Sequence, residues 1–278
     1  EIKQSLKKQL AVQFESVELN PILSILIEHV TGWDQVQQVI HKDDSISAAQ
    51  QLAFETAAEA LLTGRPIQYI TGKAWFMGEV YAVSDQVLIP RPETEELVEW
   101  VIEYAAIKGN ALRILDIGTG SGCIPIALKL AIPNANVSAI DISKEALVVA
   151  KQNAQTHQVS IEFIEQDILQ TKQLKEQYDI IVSNPPYIAS QDPHLGQGDL
   201  RFEPESALTD YGSGLSCLQA IISGAGKFLK SGGLIAVEHG YDQSEAVVEL
   251  MKEADLVDVQ VHQDLAGHSR AASSRKNL

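Results

Sequence analysis

The sequence predicts an α/β fold, a mostly parallel and doubly wound sheet preceded by a small helical domain. Up to about residue 75, apolar residues recur at three- and four-residue steps, which is typical of amphipathic helices. From there to the end, short apolar runs alternate with amphipathic stretches, which is typical of parallel strands joined by crossover helices. The length of 278 residues suits one large domain or one large and one small domain.

The first part of the chain carries helical spacing and no catalytic constellation. The spacing is clearest in Leu19–Leu26 and in Ala49–Leu61, and Gly64 then marks a helix end. We therefore expect this part to be a helical recognition or docking domain.

The next segment joins the helices to the sheet. Trp75–Val83 is aromatic and β-branched around Gly78, which predicts a short hairpin. Pro92 suits the first turn of a helix, where its missing N–H costs nothing. The residues before it form either a simple helix entry or a stiff loop that brings Arg91 to the edge of a site. The predicted boundaries are 1–74 for the helical domain, 75–91 for a β-hairpin linker and 92–278 for the sheet domain.

The sheet domain contains five short apolar runs that we predict as strands. They are Leu112–Asp116, Val137–Asp141, Ile161–Ile164, Asp179–Ser183 and Leu234–Glu238. Amphipathic stretches between them predict helices over Ile124–Ala131 and Ser143–His157.

Composition limits the classes of partner. Asp and Glu outnumber Lys and Arg by 37 to 21, for a net charge of −16, whereas a protein that grips a nucleic-acid backbone needs clustered basic residues. The seven histidines are scattered, so we expect no metal site. No apolar run approaches the ~18 residues of a membrane span, and the N-terminus lacks the pattern of a signal peptide. Two cysteines cannot build a disulfide framework, which predicts a reduced, cytoplasmic protein.

The strongest chemical signal is the glycine-rich segment that follows the first strand. Gly118, Gly120 and Gly122 alternate with Thr119 and Ser121, and glycine lets the backbone turn sharply and approach a ligand. The spacing differs from the dinucleotide pattern G-x-G-x-x-G, and no Lys-Ser or Lys-Thr pair follows as in a P-loop. The carboxylate of Asp116 would repel a pyrophosphate but attract an ammonium or sulfonium cation. The sequence therefore favours S-adenosylmethionine over a nicotinamide dinucleotide.

Three residues further along the chain are candidates for contacts with the nucleoside. Asp141 ends the second predicted strand, where a carboxylate can accept from both ribose hydroxyls; its alternative role is to cap the next helix. Asp167 follows the third strand and could accept from an adenine amino group, with Ile168 against the ring, although Asp also commonly ends a turn.

The reacting end is predicted at Asn184-Pro185-Pro186-Tyr187, directly after the fourth strand. Two prolines fix the backbone, so the Asn184 side chain and the Pro185 carbonyl would be rigid acceptors for the two hydrogens of an incoming NH₂. Tyr187 supplies a ring face on which a flat amide or base could stack. The tetrad is similar to that of amino-methyltransferases that act on exocyclic or amide nitrogens, DNA adenine methyltransferases included.

A longer set of motifs narrows the resemblance. In order they are Arg65–Gly72, Ile89–Glu95, Gly118–Gly122, Asn184–Tyr187, Glu203-Pro204 followed by Ala207-Leu208, Glu238–Gly240 with Gln243, and Asp264-Leu265 followed by Gly267 and Arg270. Together they closely resemble the peptide chain release factor N5-glutamine methyltransferases, the PrmC/HemK family. The resemblance runs from about residue 60 to the end, and the first part of the chain matches only in helical character.

The resemblance implies a Rossmann-like, class I S-adenosylmethionine-dependent methyltransferase domain and a substrate-recognition role for the helices. The implied substrate is the glutamine of the Gly-Gly-Gln motif in class I release factors, methylated on its side-chain nitrogen. Together with the chemistry above, we expect the cofactor to be held by Asp116, Gly118, Thr119, Gly120, Ser121, Gly122, Asp141, Asp167, Ile168 and Asn184. We expect the substrate to be held by Asn184, Pro185, Pro186, Tyr187 and Arg91, with Asn184, Pro185 and Tyr187 as the catalytic set.

Alternatives from other classes stay open at this point. A nucleic-acid N-methyltransferase, or an enzyme acting on another protein amide, would share the Asn-Pro-Pro-Tyr tetrad, and the net charge argues against nucleic acid. The glycine spacing disfavours a nicotinamide-dependent oxidoreductase. The intact glycines and Asn184 disfavour a catalytically silent binding module. We expect a monomer.

Overall fold

The computed structural model describes residues 2–109 and 111–278, and the chain divides into two compact units, residues 1–73 and 74–278. Each unit has its own hydrophobic core. Among the described residues, no helix is long and apolar enough to cross a membrane.

Within its described residues, the first unit contains five helices. They are α1 (Ile2–Leu10), α2 (Ser16–Thr31), α3 (Gln35–Ile40), α4 (Ala48–Leu62) and α5 (Ile67–Thr71). Asp34 and Ser47 begin α3 and α4 with reciprocal capping boxes, which satisfy backbone N–H groups that have no partner inside the helix. The core of this unit is drawn mainly from α1, α2 and α4. Ile25 and Leu52, which follow the helical spacing, are nevertheless exposed.

A two-stranded hairpin precedes the main sheet. Its strands are β1 (Lys73–Phe76) and β2 (Glu79–Ala82), joined by Met77 and Gly78. Both turn residues have positive φ, 51° and 79°, as in the tight turns whose twist matches paired strands. The hairpin ends at Ala82, so residues 83–91 of the predicted linker are not part of it.

The second unit is organised around a seven-stranded sheet. Its strands are β3 (Arg113–Ile117), β4 (Asn136–Asp141), β5 (Glu162–Glu165), β6 (Tyr178–Ser183), β7 (Leu229–Glu238), β8 (Leu256–Gln263) and β9 (Ser269–Lys276). The spatial order is β5-β4-β3-β6-β7-β9-β8. The pairs from β5 to β7 are parallel, whereas β9 runs antiparallel to both β7 and β8. The predicted mostly parallel sheet is confirmed.

Helices cover both faces of this sheet. They are α6 (Pro92–Lys108), α7 (Cys123–Ala131), α8 (Lys144–Thr156), α9 (Glu205–Leu208), α10 (Ser216–Phe228) and α11 (Ser244–Glu253). Successive strand residues point to opposite faces, so Ile114 joins a core with α6, α7 and α8, while Leu115 joins one with α10 and α11. Burial on both faces explains why the parallel strands are continuous apolar runs.

The sequence pattern did not reveal β8 and β9. β9 is rich in Ser, Ala and basic residues, which resemble a loop more than a strand. β8 is largely exposed and irregular, with Asp258 at a φ of 54° and a register shift between Val257 and Gln260. These strands are specified by the pairing of β9 with the buried β7, and local sequence carries little record of such pairing.

The strand order locates the functional crevice. From β3 the chain moves outward through β4 to β5, and it then returns to the other side of β3 as β6. Connections therefore diverge between β3 and β6, and an open α/β sheet binds its ligand outside the carboxyl ends of the strands at such a point. Ile117 lies opposite Ser183 in the β3–β6 register. The residues that follow them, Gly118 and Asn184, therefore meet at the crevice.

Candidate active site

A cleft of about 240 Å³ opens at the carboxyl ends of β3, β4 and β6. All its lining residues belong to the second unit. The Gly118–Ser121 loop, Asp141, Asp167 with Ile168, and Asn184–Pro186 contribute to its wall. The carboxyl edge of the sheet thus brings together segments that are far apart in sequence.

The glycine loop adopts the backbone conformation that its sequence predicts. Gly118, Gly120 and Gly122 have φ values of 77°, 53° and 81°, in the left-handed region that favours glycine. A Cβ at Gly122 would lie 3.0 Å from the Ala150 Cβ, so this glycine also permits close packing of the loop on α8. The backbone nitrogens of Gly118 and Thr119 both donate to the Ile140 carbonyl, at 2.9 and 3.1 Å, which fixes the loop on β4.

Asp116 lies behind this loop and is fully buried. Within the described residues, neither of its carboxylate oxygens has a hydrogen-bond partner, and the Thr119 hydroxyl has none either. Burial raises the pKa of Asp116 to about 7, and the charge of Asp141 reinforces this effect. The Thr119 hydroxyl, which is close to Asp116 without reaching ordinary hydrogen-bond geometry, opposes it. A buried carboxylate without a compensating charge is costly, and a nearby cation would relieve that cost.

Asp141 is held between the loop and the next helix. Its Oδ2 accepts from the Gly120 nitrogen at 2.8 Å, and its Oδ1 accepts from the Ser143 nitrogen at 2.9 Å. Burial raises the pKa of Asp141, although these backbone hydrogen bonds act in the opposite direction. Asp141 thus contacts the start of α8 through Ser143, and its role toward a ribose stays a prediction. Each oxygen keeps a second acceptor position, and Asp141 lines the cleft, so it can also receive a pair of ligand hydroxyls.

Asp167 and Ile168 lie at the cleft wall after β5. The Asp167 Oδ1 accepts from the Leu169 nitrogen at 2.8 Å, and its Oδ2 accepts from the Gln170 side chain at 2.8 Å. Asp167 therefore caps the start of a short 3-10 helix, Ile168–Gln170, instead of ending a turn, and it also lines the cleft. Ile168 packs partly against the core and presents an apolar surface beside it.

Asn184 is the first residue after β6, and its side chain takes part in a chain of hydrogen bonds. Its Nδ2 donates to the Thr94 hydroxyl at 3.0 Å, and that hydroxyl donates to Glu238 Oε2 at 2.7 Å. The Tyr187 hydroxyl donates to Glu238 Oε1 at 3.1 Å. Thr94 and Glu238 are buried, and burial raises the pKa of Glu238 to about 7. α6, β6 and β7 thus converge on one network.

Arg91 reaches the cleft beside this network and is held by an ion pair with Glu203. Glu203 is buried, and it also accepts from the Ile89 nitrogen at 3.1 Å. One carboxylate thereby fixes both the loop before α6 and the cation at its end. Of the two interpretations of this loop, the delivery of Arg91 to the site edge fits the geometry, and Pro92 also begins α6.

Most of the residues singled out from the sequence line the cleft. They are Arg91, Gly118, Thr119, Gly120, Ser121, Asp141, Asp167, Ile168, Asn184, Pro185 and Pro186. Asp116, Gly122 and Tyr187 are not among the described lining residues. Asp116 is buried near Thr119, and Gly122 packs against Ala150 of α8. Tyr187 packs partly against the core with its hydroxyl on Glu238. The individual roles of these residues stay predictions.

The sequence alone indicated no chemical role for Thr94, Glu203 or Glu238. All three occur in the motifs that carry the family resemblance. The motifs mark their positions but do not show which groups these side chains contact. A usable signal existed for Glu238, because it ends an apolar strand at the same edge of the sheet as Asp116 and Asp141. A buried carboxylate at the carboxyl edge of a sheet is seldom explained by packing alone, and it therefore indicates a functional role.

The fold and the cleft define the class of the protein. The family model described as "Methyltransferase small domain" matches residues 100–198, and the model described as "PrmC N-terminal domain" matches residues 2–72. A methyltransferase structure from Pyrococcus furiosus is similar to 81% of this chain over 100% of its own, with a TM-score of 0.55 at 15% identity. The second unit is therefore a class I methyltransferase fold.

Two curated relatives identify the family. The release factor glutamine methyltransferase of Bordetella pertussis is 44% identical over 88% of this chain and 91% of its own. The enzyme of the same name from Neisseria gonorrhoeae is 41% identical over 88% of this chain and 89% of its own. The chain belongs to the release factor glutamine methyltransferase family, as its motifs predicted.

Proposed function

We propose that this enzyme transfers a methyl group from S-adenosylmethionine to the side-chain amide nitrogen of the glutamine in the Gly-Gly-Gln motif of class I release factors. The observation that carries the proposal is the position of Asn184. Asn184 lines the cleft beside the glycine loop, and its amide nitrogen already donates to Thr94. The relatives that share this sequence over most of its length are named for the same activity.

The charges at the glycine loop fit S-adenosylmethionine. The cofactor carries an ammonium and a sulfonium, and the fully buried Asp116 is a carboxylate without a hydrogen-bond partner in the described part of the chain. Asp141 has acceptor capacity for two ribose hydroxyls, and Ile168 offers an apolar surface to a base. We assign these residues, with Gly118–Ser121, to cofactor binding and Asp167 to the adenine side. When bound, the cofactor supplies an electrophilic methyl group.

The chain's own residues then have to orient a poor nucleophile. An amide nitrogen is weakly nucleophilic because its lone pair is delocalised into the carbonyl. The Asn184 side-chain oxygen and the Pro185 carbonyl accept from its two N–H groups, and they stabilise positive charge as it develops on nitrogen. Alignment contributes much of the remaining acceleration, since correct orientation is worth roughly 7–11 kcal/mol in favourable cases. We assign Tyr187 to the substrate amide through its ring face, with its hydroxyl on Glu238, and Arg91 to a polar group of the substrate at the cleft edge.

The first unit has a separate role in this proposal. It matches the PrmC N-terminal domain model over residues 2–72, and we assign it to recognition of the release factor. The net charge of −16 suits a protein partner with a basic surface and disfavours direct binding to nucleic acid. A monomeric state, a cytoplasmic location and the three-part division at residues 74 and 91 stay predictions. Cys123 and Cys217 are both free and buried.

Mass spectrometry of a purified class I release factor tests the proposal. After incubation with this protein and S-adenosylmethionine, we expect one added methyl on the Gly-Gly-Gln peptide, and none with the Asn184→Ala variant. If the protein binds S-adenosylmethionine but adds no methyl group to the release factor, the proposed substrate is wrong. DNA and RNA would then be tested as acceptors in the same assay.

A further inference from the structure

Two hydrogen bonds link the wall of the cleft to a buried carboxylate, and a third occupies the carboxylate's other oxygen. Asn184 Nδ2 lies 3.0 Å from the Thr94 hydroxyl oxygen, and that oxygen lies 2.7 Å from Glu238 Oε2. The Tyr187 hydroxyl occupies the other oxygen of Glu238 at 3.1 Å. Within the described residues, Asn184 Oδ1 makes no hydrogen bond with another group, and Asn184 lines the cleft. The network therefore satisfies one end of the Asn184 amide and leaves the other for a ligand.

The number of protons in this network determines whether the NH₂ or the oxygen of the Asn184 side chain faces Thr94. A hydroxyl has one proton, and a carboxylate has none, so Thr94 must donate to an ionised Glu238. Its oxygen can then only accept from Asn184. If the Asn184 amide were reversed, its Oδ1 would face the Thr94 oxygen at 3.0 Å with no proton between them. An ionised Glu238 thus forces the NH₂ of Asn184 toward Thr94 and its oxygen away from Thr94.

We infer that Thr94 and Glu238 are positioning residues that hold the Asn184 amide with its oxygen toward the substrate, and so make the site selective for an NH₂ donor. This inference rests on the proposed function for its substrate, but the orientation of Asn184 exists in the free protein. A reversed Asn184 would present two N–H donors instead. Such a site would repel the NH₂ of glutamine and accept the carboxylate of glutamate.

The hydrogen bonds from Asn184 to Thr94 and from Thr94 to Glu238 form a relay, and protonation of Glu238 would reverse the direction of both bonds. A protonated Glu238 donates to Thr94, the Thr94 hydroxyl becomes free to donate to Asn184 Oδ1, and the amide turns its NH₂ into the cleft. The ionisable groups that act on Glu238 are Glu93 from α6, Tyr187 after β6 and Arg270 from β9. Burial, the largest influence, raises its pKa to about 7, and Glu93 adds to this, whereas Thr94, Tyr187 and Arg270 oppose it. The group therefore titrates in the pH range of an ordinary assay.

The test compares Thr94→Val with Thr94→Ser. Valine keeps the shape of the side chain but removes the hydroxyl, so we expect kcat at pH 8 to fall about 10-fold with unchanged affinity for S-adenosylmethionine. Serine restores the hydroxyl and should recover most of that loss. Thr156→Val is the matched control, because Thr156 bonds only within the exposed face of α8. Serine and valine variants that are equally impaired would overturn the inference.

Substrate discrimination separates orientation from simple support of the fold. We expect the wild-type protein to bind a release factor with Gly-Gly-Gln better than one with Gly-Gly-Glu, and Thr94→Val to reduce that preference about 10-fold. A loss that is equal for both ligands would contradict a role in selecting the NH₂ group.

The pH profile provides a second readout. With both substrates saturating, wild-type kcat should fall about 10-fold between pH 8 and pH 6, because most Glu238 is then protonated. Thr94→Val should lose this acid limb, since the relay between Glu238 and Asn184 is broken. An acid limb that persists in Thr94→Val would overturn the relay.

NMR of the free protein distinguishes failure of this inference from failure of the proposed function. In Asn-labelled protein, the Asn184 NH₂ signal is identified by its loss in Asn184→Ala. At pH 8 we expect nuclear Overhauser contacts from these protons to the Thr94 side chain, and we expect them to weaken below pH 6. Contacts that do not change with pH would refute the switch, whether or not release factors are methylated.

Discussion

The two ends of the cleft meet their electrostatic requirements in opposite ways. At the glycine loop, Asp116 is fully buried and its carboxylate has no hydrogen-bond partner in the described part of the chain. At the other end, Glu238 is equally buried, but both its oxygens accept hydrogen bonds, from Thr94 and Tyr187. The two carboxyl groups share a raised pKa of about 7, with burial as the main cause.

This contrast separates binding from orientation. An uncompensated negative charge favours the arrival of a cation without fixing its position to a fraction of an ångström. A satisfied network adds little affinity, but it holds one acceptor in place before the substrate arrives. The glycine loop end is thus suited to attract the cofactor, and the Asn184 end is suited to align the nitrogen that attacks it.

Removal of Asn184 should produce the largest effect and should act on turnover alone. In Asn184→Ala, both the acceptor and its stabilisation of the developing charge are lost, so we expect kcat to fall about 10²–10³-fold. Affinity for S-adenosylmethionine, measured by calorimetry, should stay within about threefold. Comparable losses of kcat and affinity would contradict the separation of cofactor binding at the glycine loop from substrate alignment at Asn184.

Removal of Asp141 should act on binding instead. Asp141→Ala takes away the acceptors for the ribose hydroxyls and leaves the Gly120 and Ser143 nitrogens without their partner. We expect S-adenosylmethionine to bind about 30- to 100-fold more weakly, equivalent to about 2–3 kcal/mol. Asp43→Ala, at an exposed position in the first unit, is the control. Unchanged calorimetric affinity would remove Asp141 from the cofactor site.

Asp116 should show a trade-off between stability and affinity. Its pKa is raised in the folded state, so its contribution to folding is favourable below its ordinary value of 3.8 and is lost as the pH rises through about 7. In Asp116→Asn, the buried charge is absent. We expect the variant to be more stable than the wild type by about 2 kcal/mol at pH 8, and the difference to shrink at pH 5.

The same variant should bind S-adenosylmethionine about 10-fold more weakly at pH 8, because a cation has lost its counter-charge. Thermal melts of the ligand-free protein at both pH values, with calorimetry at pH 8, measure the two effects. A variant that is less stable than the wild type at pH 8 would show that Asp116 is a structural residue whose charge is compensated.

Substitutions in the glycine loop itself should act on the free energy of unfolding by about 1–2 kcal/mol. Gly122→Ala combines a positive φ with a Cβ 3.0 Å from that of Ala150, so we expect a loss of about 2 kcal/mol in the free energy of unfolding. Gly120→Ala meets no protein atom within 4 Å and should lose about 1 kcal/mol. Because Gly120 lines the cleft, its variant should lose cofactor affinity. Denaturant unfolding measures the loss of stability in each of the two variants. Equal losses would show that the packing of Gly122 on α8 is unimportant.

How far the sequence could predict the site depended on how locally each feature is encoded. The glycine loop and Asn184 each follow an apolar strand directly, and Asp141 ends one. A parallel sheet brings the carboxyl ends of its strands together at one edge. Periodicity and the position of each residue after its strand were therefore sufficient to place these residues together. The N-terminal helices were equally readable, because capping and three- to four-residue spacing are local properties.

Other features depended on contacts that no local pattern records. Thr94 and Glu238 are separated by 144 residues, and Arg91 and Glu203 by 112, so their partners are decided by how α6 and the α9 segment pack on the sheet. β9 is a strand because β7 offers it a buried edge, despite a polar sequence.

By itself, the sequence determined the parallel sheet, the glycine turn and the residues at the ends of the strands, because hydrophobic periodicity and backbone conformational preference act over a few residues. Only the tertiary structure decided that Asp116 has no hydrogen-bond partner among the described residues while Glu238 has two, and that Asn184 is held by Thr94. The reason is that burial and hydrogen-bond partners are set by long-range packing.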